Sequence, residues 1–522
     1  MGTYINTGNE AFRKARNGEY VDKSGLISVV NRSLDTEYQF SCVSRCRRFG
    51  KSMAAKMLAA YYDRSCDSRA LFADLAIADD PSFEEHLNKY PVIYLDITGF
   101  ITRFRNGDIV RHMDAELKSD VLAAYPQVEL NGSDDLMGVL VRIAAATGDR
   151  FFFIIDEWDA ICREFPAGSD EMSRYVDWLR RMFKDLSAIS VFAGVYMTGI
   201  LPIKKYKTQS ALNNFQEYSM VDPGEMAPFF GFTKPEVERL VAHYRMDFDE
   251  MEKWYDGYRI GEELSLFNPN SVMQALRRHR CASYWGKTAT YDTIVPYIQM
   301  NYEGLKDDII EMLAGGRCPV DPTGFQNDLS VINSKDDVLT VLIHLGYLSY
   351  DRDEGTCFVP NKEVAEEMLF AVRDSRWQYV TAAIEQSRQL LEATLSGDEE
   401  AVARGVEAAH DENTSILSYN NENSLACVLS LAYYYARNNY VVHRELASGK
   451  GFADLVLIPR KNVDSPAIVI ELKYNRSADT ALDQIRRKEY PSKVAEYAGN
   501  LLLVGISYDR ETKTHSCRIE RQ

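Results

Sequence analysis

The feature that most constrains the fold is the passage from an apolar run, Tyr38 to Val43, through Ser44-Arg45-Cys46-Arg47-Arg48-Phe49-Gly50-Lys51-Ser52 into the Ala-, Met- and Leu-rich stretch Met53 to Tyr62. A strand, a tight loop and a helix in that order turn backbone N–H groups toward an anion at the helix N-terminus. In such a loop a lysine reaches the outer phosphates of a nucleotide, and the hydroxyl beside it ligates Mg2+. Gly50, Lys51 and Ser52 fit these roles, with Arg47, Arg48 and Phe49 as the adjoining loop. The full pattern GxxxxGK[ST] wants glycine five residues before Gly50, where this chain has Arg45. Alone, the tripeptide also suits a basic surface turn, so the rest of the chain decides.

A second apolar run, Phe151-Phe152-Phe153-Ile154-Ile155, reads as a parallel strand buried on both faces. It ends in Asp156-Glu157-Trp158-Asp159, and acids at the C-terminal edge of such a strand are placed for chemistry. There Asp156 would hold the Mg2+ that bridges the phosphates, and Glu157 would act as general base on the attacking water. A charged loop after a core strand is the plain alternative. Val92 to Asp96 and Ile189 to Met197 read as further strands of the same sheet, the latter ending in Thr198-Gly199, where Thr198 is placed to sense the γ-phosphate.

The 522 residues exceed what one hydrophobic core usually serves, so roughly two to four domains are expected. Nine cysteines without CxxC spacing and eight unclustered histidines support neither a disulfide framework nor a zinc site. No apolar run has the length of a membrane span, and Met1-Gly2-Thr3-Tyr4-Ile5-Asn6 is neither a secretion signal nor a full myristoylation motif. The expectation is a soluble, cytoplasmic, unanchored protein. The net charge of −17 argues against a histone-like coat for nucleic acid, but it is unevenly spread. Residues 415–522 hold 15 Lys and Arg against 12 Asp and Glu, a net +3, which leaves −20 for the first 414.

Arg45 to Ser52, Ile155-Asp156-Glu157-Trp158-Asp159-Ala160 and Thr198-Gly199-Ile200-Leu201 together resemble the bacterial AAA-ATPase-like family, with its RRFGKS loop and IDEYD strand end. Tyr20-Val21-Asp22-Lys23-Ser24-Gly25-Leu26-Ile27, Leu212-Asn213-Asn214-Phe215 and Trp254-Tyr255-Asp256-Gly257-Tyr258 carry the resemblance past residue 260. It implies ATP as the nucleotide and an AAA/RecA-type sheet, in which a strand lies between the lysine strand and the acid strand. It also makes arginine in place of the first loop glycine a family trait. Cys46 stands where proline is common and Trp158 where tyrosine is common; neither change removes a proposed ligand.

From Gly231 to Gly315 helical patterns predominate, opening on the capping box Thr233-Lys234-Pro235-Glu236, as suits a helical lid. Asp336 to Leu345 reads as a helix, and Tyr347 to Tyr350 with Cys357 to Val359 as a hairpin around Asp351-Arg352-Asp353-Glu354-Gly355. That order suggests a winged-helix element, whose acidic tip favours a lid or structural role over DNA contact. Arg277-Arg278-His279-Arg280 is a weak nucleic-acid or subunit contact, or a solvated helix face.

At the far end, Ala453 to Pro459 and Ala467 to Lys473 read as a hairpin around Asn462 and Val463. A symmetric closure sets Asp454 opposite Glu471. Side chains alternate along a strand, so Glu471 and Lys473 share that face while Ile470 and Leu472 point to the core. Facing carboxylates repel unless a cation lies between them, and oxygen ligands favour Mg2+ or Mn2+. A bound metal activates water at a phosphodiester, with Lys473 orienting the nucleophile or neutralising the transition state. The plain alternative is an ordinary amphipathic hairpin. Asp454 followed by Glu471-Leu472-Lys473 resembles the PD-(D/E)XK nuclease superfamily, a C-terminal companion of this ATPase family. The resemblance adds Glu422 as a metal ligand and matches Gln484 and Tyr490 to a Q-I-x-x-K-x-Y helix. Gly451-Phe452-Ala453-Asp454 lacks the arginine of the usual Gly-Arg-x-Asp.

The expected α/β architecture is a P-loop ATPase domain over 1–225, a helical lid with a winged-helix-like element over 226–375, a helical connector over 376–413 and a nuclease-like domain over 414–522. The expected function is ATP binding and hydrolysis coupled to a Mg2+-dependent nuclease acting on nucleic acid, DNA ahead of RNA. Its rival is a nucleotide-switched module for nucleic acid or protein whose nuclease-like domain does not cut. Open points are a homo-oligomer and the source of an arginine finger, for which Arg163, Arg180 and Arg181 are candidates.

Overall fold

A computed structural model describes residues 2–285, apart from 106, 129–134, 167, 204, 207, 208, 211 and 261–263, and residues 302–522, apart from 303, 314, 327–331, 375–377, 414–431, 434, 435, 437–439, 449, 450, 460–464, 488–496, 498, 510, 511 and 513. The chain divides into two compact units, one of 1–288 with 319–365 and one of 289–318 with 366–522.

The first unit is built on five parallel strands: β1 (Phe40–Ser44), β2 (Val92–Asp96), β3 (Phe151–Asp156), β4 (Phe192–Gly199) and β5 (Gln216–Tyr218), in the order β2-β3-β4-β1-β5. Alternation along β3 sends Phe151, Phe153 and Ile155 into one core and Phe152 and Ile154 into another. This double burial is why the strand is apolar at every position. Helix α1 (Lys51–Tyr62) leaves the end of β1, and its Tyr62 ring stacks on Phe152 at 4.0 Å. The strand β4 lies between β1 and β3, as expected for the AAA/RecA branch.

Two local expectations change. A short helix α2 (Ala160–Glu164) follows β3, and Leu186–Val191 forms α3, so β4 starts at Phe192 rather than Ile189. The Asp185 side chain accepts the Ser187 N–H and so starts a helix where β-branched composition suggests a strand. In the lid, the capping box at Thr233 opens α4 (Lys234–Tyr244) as expected. Around it, β6 (Phe232–Thr233), β7 (Tyr258–Ile260) and β8 (Leu264–Phe267) form a small antiparallel sheet within the stretch read as helical, followed by α5 (Pro269–Arg278). Helix α6 (Lys335–Leu345) and the hairpin β9 (Ser349–Asp351) with β10 (Thr356–Phe358) supply the expected helix-plus-wing.

The second unit centres on a mixed sheet in the order β11 (Tyr440–Ser448), β12 (Gly451–Pro459), β13 (Ala467–Tyr474), β14 (Leu501–Asp509) and β15 (Thr514–Arg521). Only β13 and β14 run parallel, and the crossover between them carries α9 (Ala478–Arg487) on one face. On the other face α7 (Gln378–Ser396) and α8 (Glu399–Asn413), from the stretch read as a connector, pack Leu390, Leu391, Val402 and Val406 against Leu455, Ile470 and Leu472.

Candidate functional sites

Arg45 sits where other phosphate loops keep glycine, and it is fully buried. Its guanidinium donates to the carbonyls of Ser44 (2.9 Å), Tyr218 (2.9 Å) and Ser219 (3.0 Å), and lies over the Phe230 ring at 5.3 Å. Burial pulls its pKa down to about 10, which leaves it charged at neutral pH. The arginine thus pins the loop to β5 and the turn after it. Lys51 is buried and donates to the carbonyls of Arg45 (2.9 Å) and Cys46 (3.1 Å).

The acids lie where the apolar run predicts, at the C-terminal end of β3. Asp156 accepts hydrogen bonds from the Thr198 hydroxyl (2.6 Å) and the Tyr94 hydroxyl (3.1 Å), so neighbouring strands on both sides fix its carboxylate. Glu157 comes within 4.0 Å of the Lys51 ammonium. Its pKa is raised, chiefly by burial, while the charges of Lys51 and Arg163 oppose the rise. Glu157 and Arg48 both hold left-handed backbone, at φ 55° and 69°. Non-glycine residues in that region cluster where a site constrains the chain.

Behind Glu157 stands a network that sequence reading missed. Arg163, on α2, donates from Nη2 to Glu157 and from Nε to Asp159 (3.0 Å). The same Asp159 oxygen accepts the N–H groups of Ile200 (3.1 Å) and Leu201 (2.9 Å). Gly199 is required for this approach, because a Cβ there would lie 2.6 Å from Trp158 Nε1 and 2.8 Å from Asp159 Oδ1. Of the arginine-finger candidates, Arg163 is engaged inside its own site, and Arg180 pairs with Asp177 at 3.1 Å.

Lys51, Ser52, Arg48, Phe49 and Glu157 open on a cleft of about 430 Å3 closed by Tyr20 and by Met273 and Arg277 of α5. Arg277 is exposed, as a solvated helix face would have it, yet it borders this cleft and pairs with Glu19 at 3.7 Å. Lys23 also reaches this cleft; its ammonium donates to both Glu236 oxygens (2.8 and 2.7 Å), joining the Tyr20–Ile27 motif to the lid's capping box. The loop is gripped from the lid side too. Arg48 donates to the Tyr284 carbonyl (2.9 Å), the Phe49 carbonyl accepts Gly231 N–H (3.1 Å), and a Cβ on Gly346 would lie 2.6 Å from Cys46 Cβ.

In the second unit, Leu455 faces Ile470, Val456 faces Val469 and Leu457 faces Ile468, the register expected from a symmetric hairpin. Continued by one residue, that register sets Asp454 opposite Glu471. Asp454 accepts the Leu472 N–H (2.7 Å), and Lys473 lies 3.2 Å from Glu471. Gln484 of α9 donates to the same Glu471 oxygen. Glu471 and Lys473 are both buried, on the α9 face, while Ile470 and Leu472 enter the opposite core. Glu422, Tyr490 and the turn at Asn462 and Val463 lie outside the described residues. Among the described residues no group of three or more His, Cys, Asp or Glu converges. The oxygen donors present, Ser52 and Asp156 in one site and Asp454 and Glu471 in the other, fit a hard cation such as Mg2+.

A parallel sheet with a phosphate loop after one strand, paired acids after another and a hydroxyl on the strand between them defines a P-loop nucleotide-binding domain of the AAA type. The second sheet, with Asp454, Glu471 and Lys473 on one face, has the layout of a nuclease-like domain. Comparison with protein families agrees: residues 7–208 match the family described as predicted AAA-ATPase, and residues 420–517 match the PD-(D/E)XK nuclease superfamily. The chain joins an N-terminal region that matches the first family to a C-terminal region that matches the second. No curated protein matches it.

Proposed function

We propose that the chain binds and hydrolyses ATP in its first unit and cleaves nucleic acid, DNA ahead of RNA, in its second, with nucleotide turnover controlling the cut. The observation that carries the ATPase reading is the meeting of Lys51 and Glu157 in one cleft, from strands separated by β4. In this reading Lys51 exchanges the Arg45 and Cys46 carbonyls for phosphate oxygens. Glu157 takes a proton from the water that attacks the γ-phosphorus, as the bond from that phosphorus to the bridging oxygen breaks. Thr198 holds Asp156 and faces the same phosphate.

For the second unit, Asp454 and Glu471 would hold the divalent cation and Lys473 would steady the developing phosphorane charge. Bound Mg2+, or Mn2+ in the second site, supplies charge neutralisation and an activated water. Among the described residues no helix is long and apolar enough to cross a membrane, and the cytoplasm is the proposed location.

The test uses the full chain. Lys51→Ala should abolish ATP binding, and Glu157→Gln should bind ATP but turn it over slowly. With Mg2+ or Mn2+, Asp454→Ala should lose cleavage of plasmid and linear DNA while keeping ATPase activity. Equal turnover in wild type, Lys51→Ala and Glu157→Gln defeats the first assignment. Cleavage that survives Asp454→Ala defeats the second assignment, and absence of cleavage by the wild type with either metal leaves the non-cutting module as the better description.

A further inference from the structure

The Glu157 carboxylate stands between two cations, and only one of them is wanted by a phosphate. Lys51 is 4.0 Å from one oxygen, while Arg163 bonds the other. Were Arg163 absent, Glu157 could close on Lys51, which would occupy the lysine meant for phosphate and withdraw the base from the water. Arg163 is 13% exposed, and Asp159, which shares it, is fully buried. Pairs so desolvated hold their geometry far better than surface ion pairs. Asp159 in turn fastens Ile200 and Leu201, directly after the Thr198-Gly199 pair whose threonine bonds Asp156.

We propose that Arg163 is a positioning residue that holds Glu157 off Lys51 and locks that placement to the end of β4. The proposal rests on Glu157 being the general base. It depends on the fork of the guanidinium: Nε serves Asp159 and Nη2 serves Glu157, a span that a lysine ammonium on a flexible stem cannot reproduce. Arg163 therefore acts inside its own active site rather than across a subunit boundary.

Steady-state ATP hydrolysis by the full chain with Mg2+ tests this. Arg163→Ala should lower kcat by roughly tenfold to a hundredfold, the cost of a base displaced by about an ångström, and should also weaken ATP binding, because Glu157 then competes with phosphate for Lys51. Arg163→Lys should fall nearly as far, and it carries the same test should Arg163→Ala not fold. In a Glu157→Gln background the Arg163 substitution should add no further loss. An equal loss in both backgrounds would overturn the proposal, because it would mark a merely structural role. An unchanged or raised kcat in Arg163→Ala, beside a slow Glu157→Gln, would overturn the role of Arg163 alone. Full turnover in Glu157→Gln by itself would overturn the base assignment and this proposal with it.

Discussion

Restoring glycine at position 45 would make the loop conform to the common phosphate-loop pattern, yet it should damage this protein. Arg45→Gly removes the donor from the buried carbonyls of Ser44 and Ser219 and the half-buried carbonyl of Tyr218, held at 2.9, 3.0 and 2.9 Å. An unsatisfied buried carbonyl costs about 1 kcal/mol or more, so the three come to roughly 3 kcal/mol. Loss of the cation–π contact with Phe230 adds about 1 kcal/mol. Relief from burying a cation returns part of this, leaving a net destabilisation of roughly 3 kcal/mol. Urea unfolding followed by tryptophan fluorescence reports the right unit, since Trp158, Trp178, Trp254 and Trp285, four of the five tryptophans, belong to it. At about 1–3 kcal/mol per molar urea, the transition should move down by roughly 1–3 M. ATP affinity should fall as well, because the backbone at position 45, whose carbonyl places Lys51 and whose N–H bonds Gly199, loses the guanidinium that anchors it. A midpoint within about 0.3 M of wild type together with unchanged ATP affinity would refute the reasoning.

Gly199→Ala should destabilise the first unit by roughly 1–3 kcal/mol, since the new methyl overlaps Trp158 and Asp159; thermal unfolding and ATPase rate should fall together. Lys23→Ala should cost about 2–3 kcal/mol by leaving Glu236 without its mostly buried partner, readable in the same urea transition. His344 is held neutral by burial, with the Arg45 charge assisting, and its pKa is lowered to about 3. Between the ordinary histidine value and about 3 the unfolded chain binds the extra proton, so stability falls as pH drops below roughly 6.5, by up to about 1.4 kcal/mol per unit. His344→Leu should flatten that slope, and urea midpoints at pH 7 and pH 5 should show about 2 kcal/mol less loss than wild type.

The elements that were legible in the sequence announce themselves locally. The β3 run is apolar because both sheet faces are buried, and the β12–β13 register follows from a symmetric closure around Asn462 and Val463, so Asp156, Glu157, Asp454 and Glu471 can be placed from a few neighbouring residues. The start of β4 was misplaced because Ile189 and Val191 favour a strand while the cap at Asp185 decides for a helix. The roles of Arg163, Asp159 and Tyr94 were missed for a different reason. Their partners lie up to 62 positions away, and no short pattern marks a charge that acts by holding another. Arg277 shows the same limit, since a basic run on a solvated helix face does not say which of its members borders a cleft.

The lid-side grip on the phosphate loop bears on where this chain can be cut. Cys46 and Phe49 are buried, and part of their cover comes from Gly346, Tyr258 and Gly231, all beyond residue 225. A fragment ending with the parallel sheet would turn these surfaces to water and free Arg48 from its carbonyl anchor. The smallest autonomous nucleotide-binding piece should therefore run through the wing to about residue 365, and shorter fragments should aggregate or bind ATP poorly even with every phosphate-contacting residue in place.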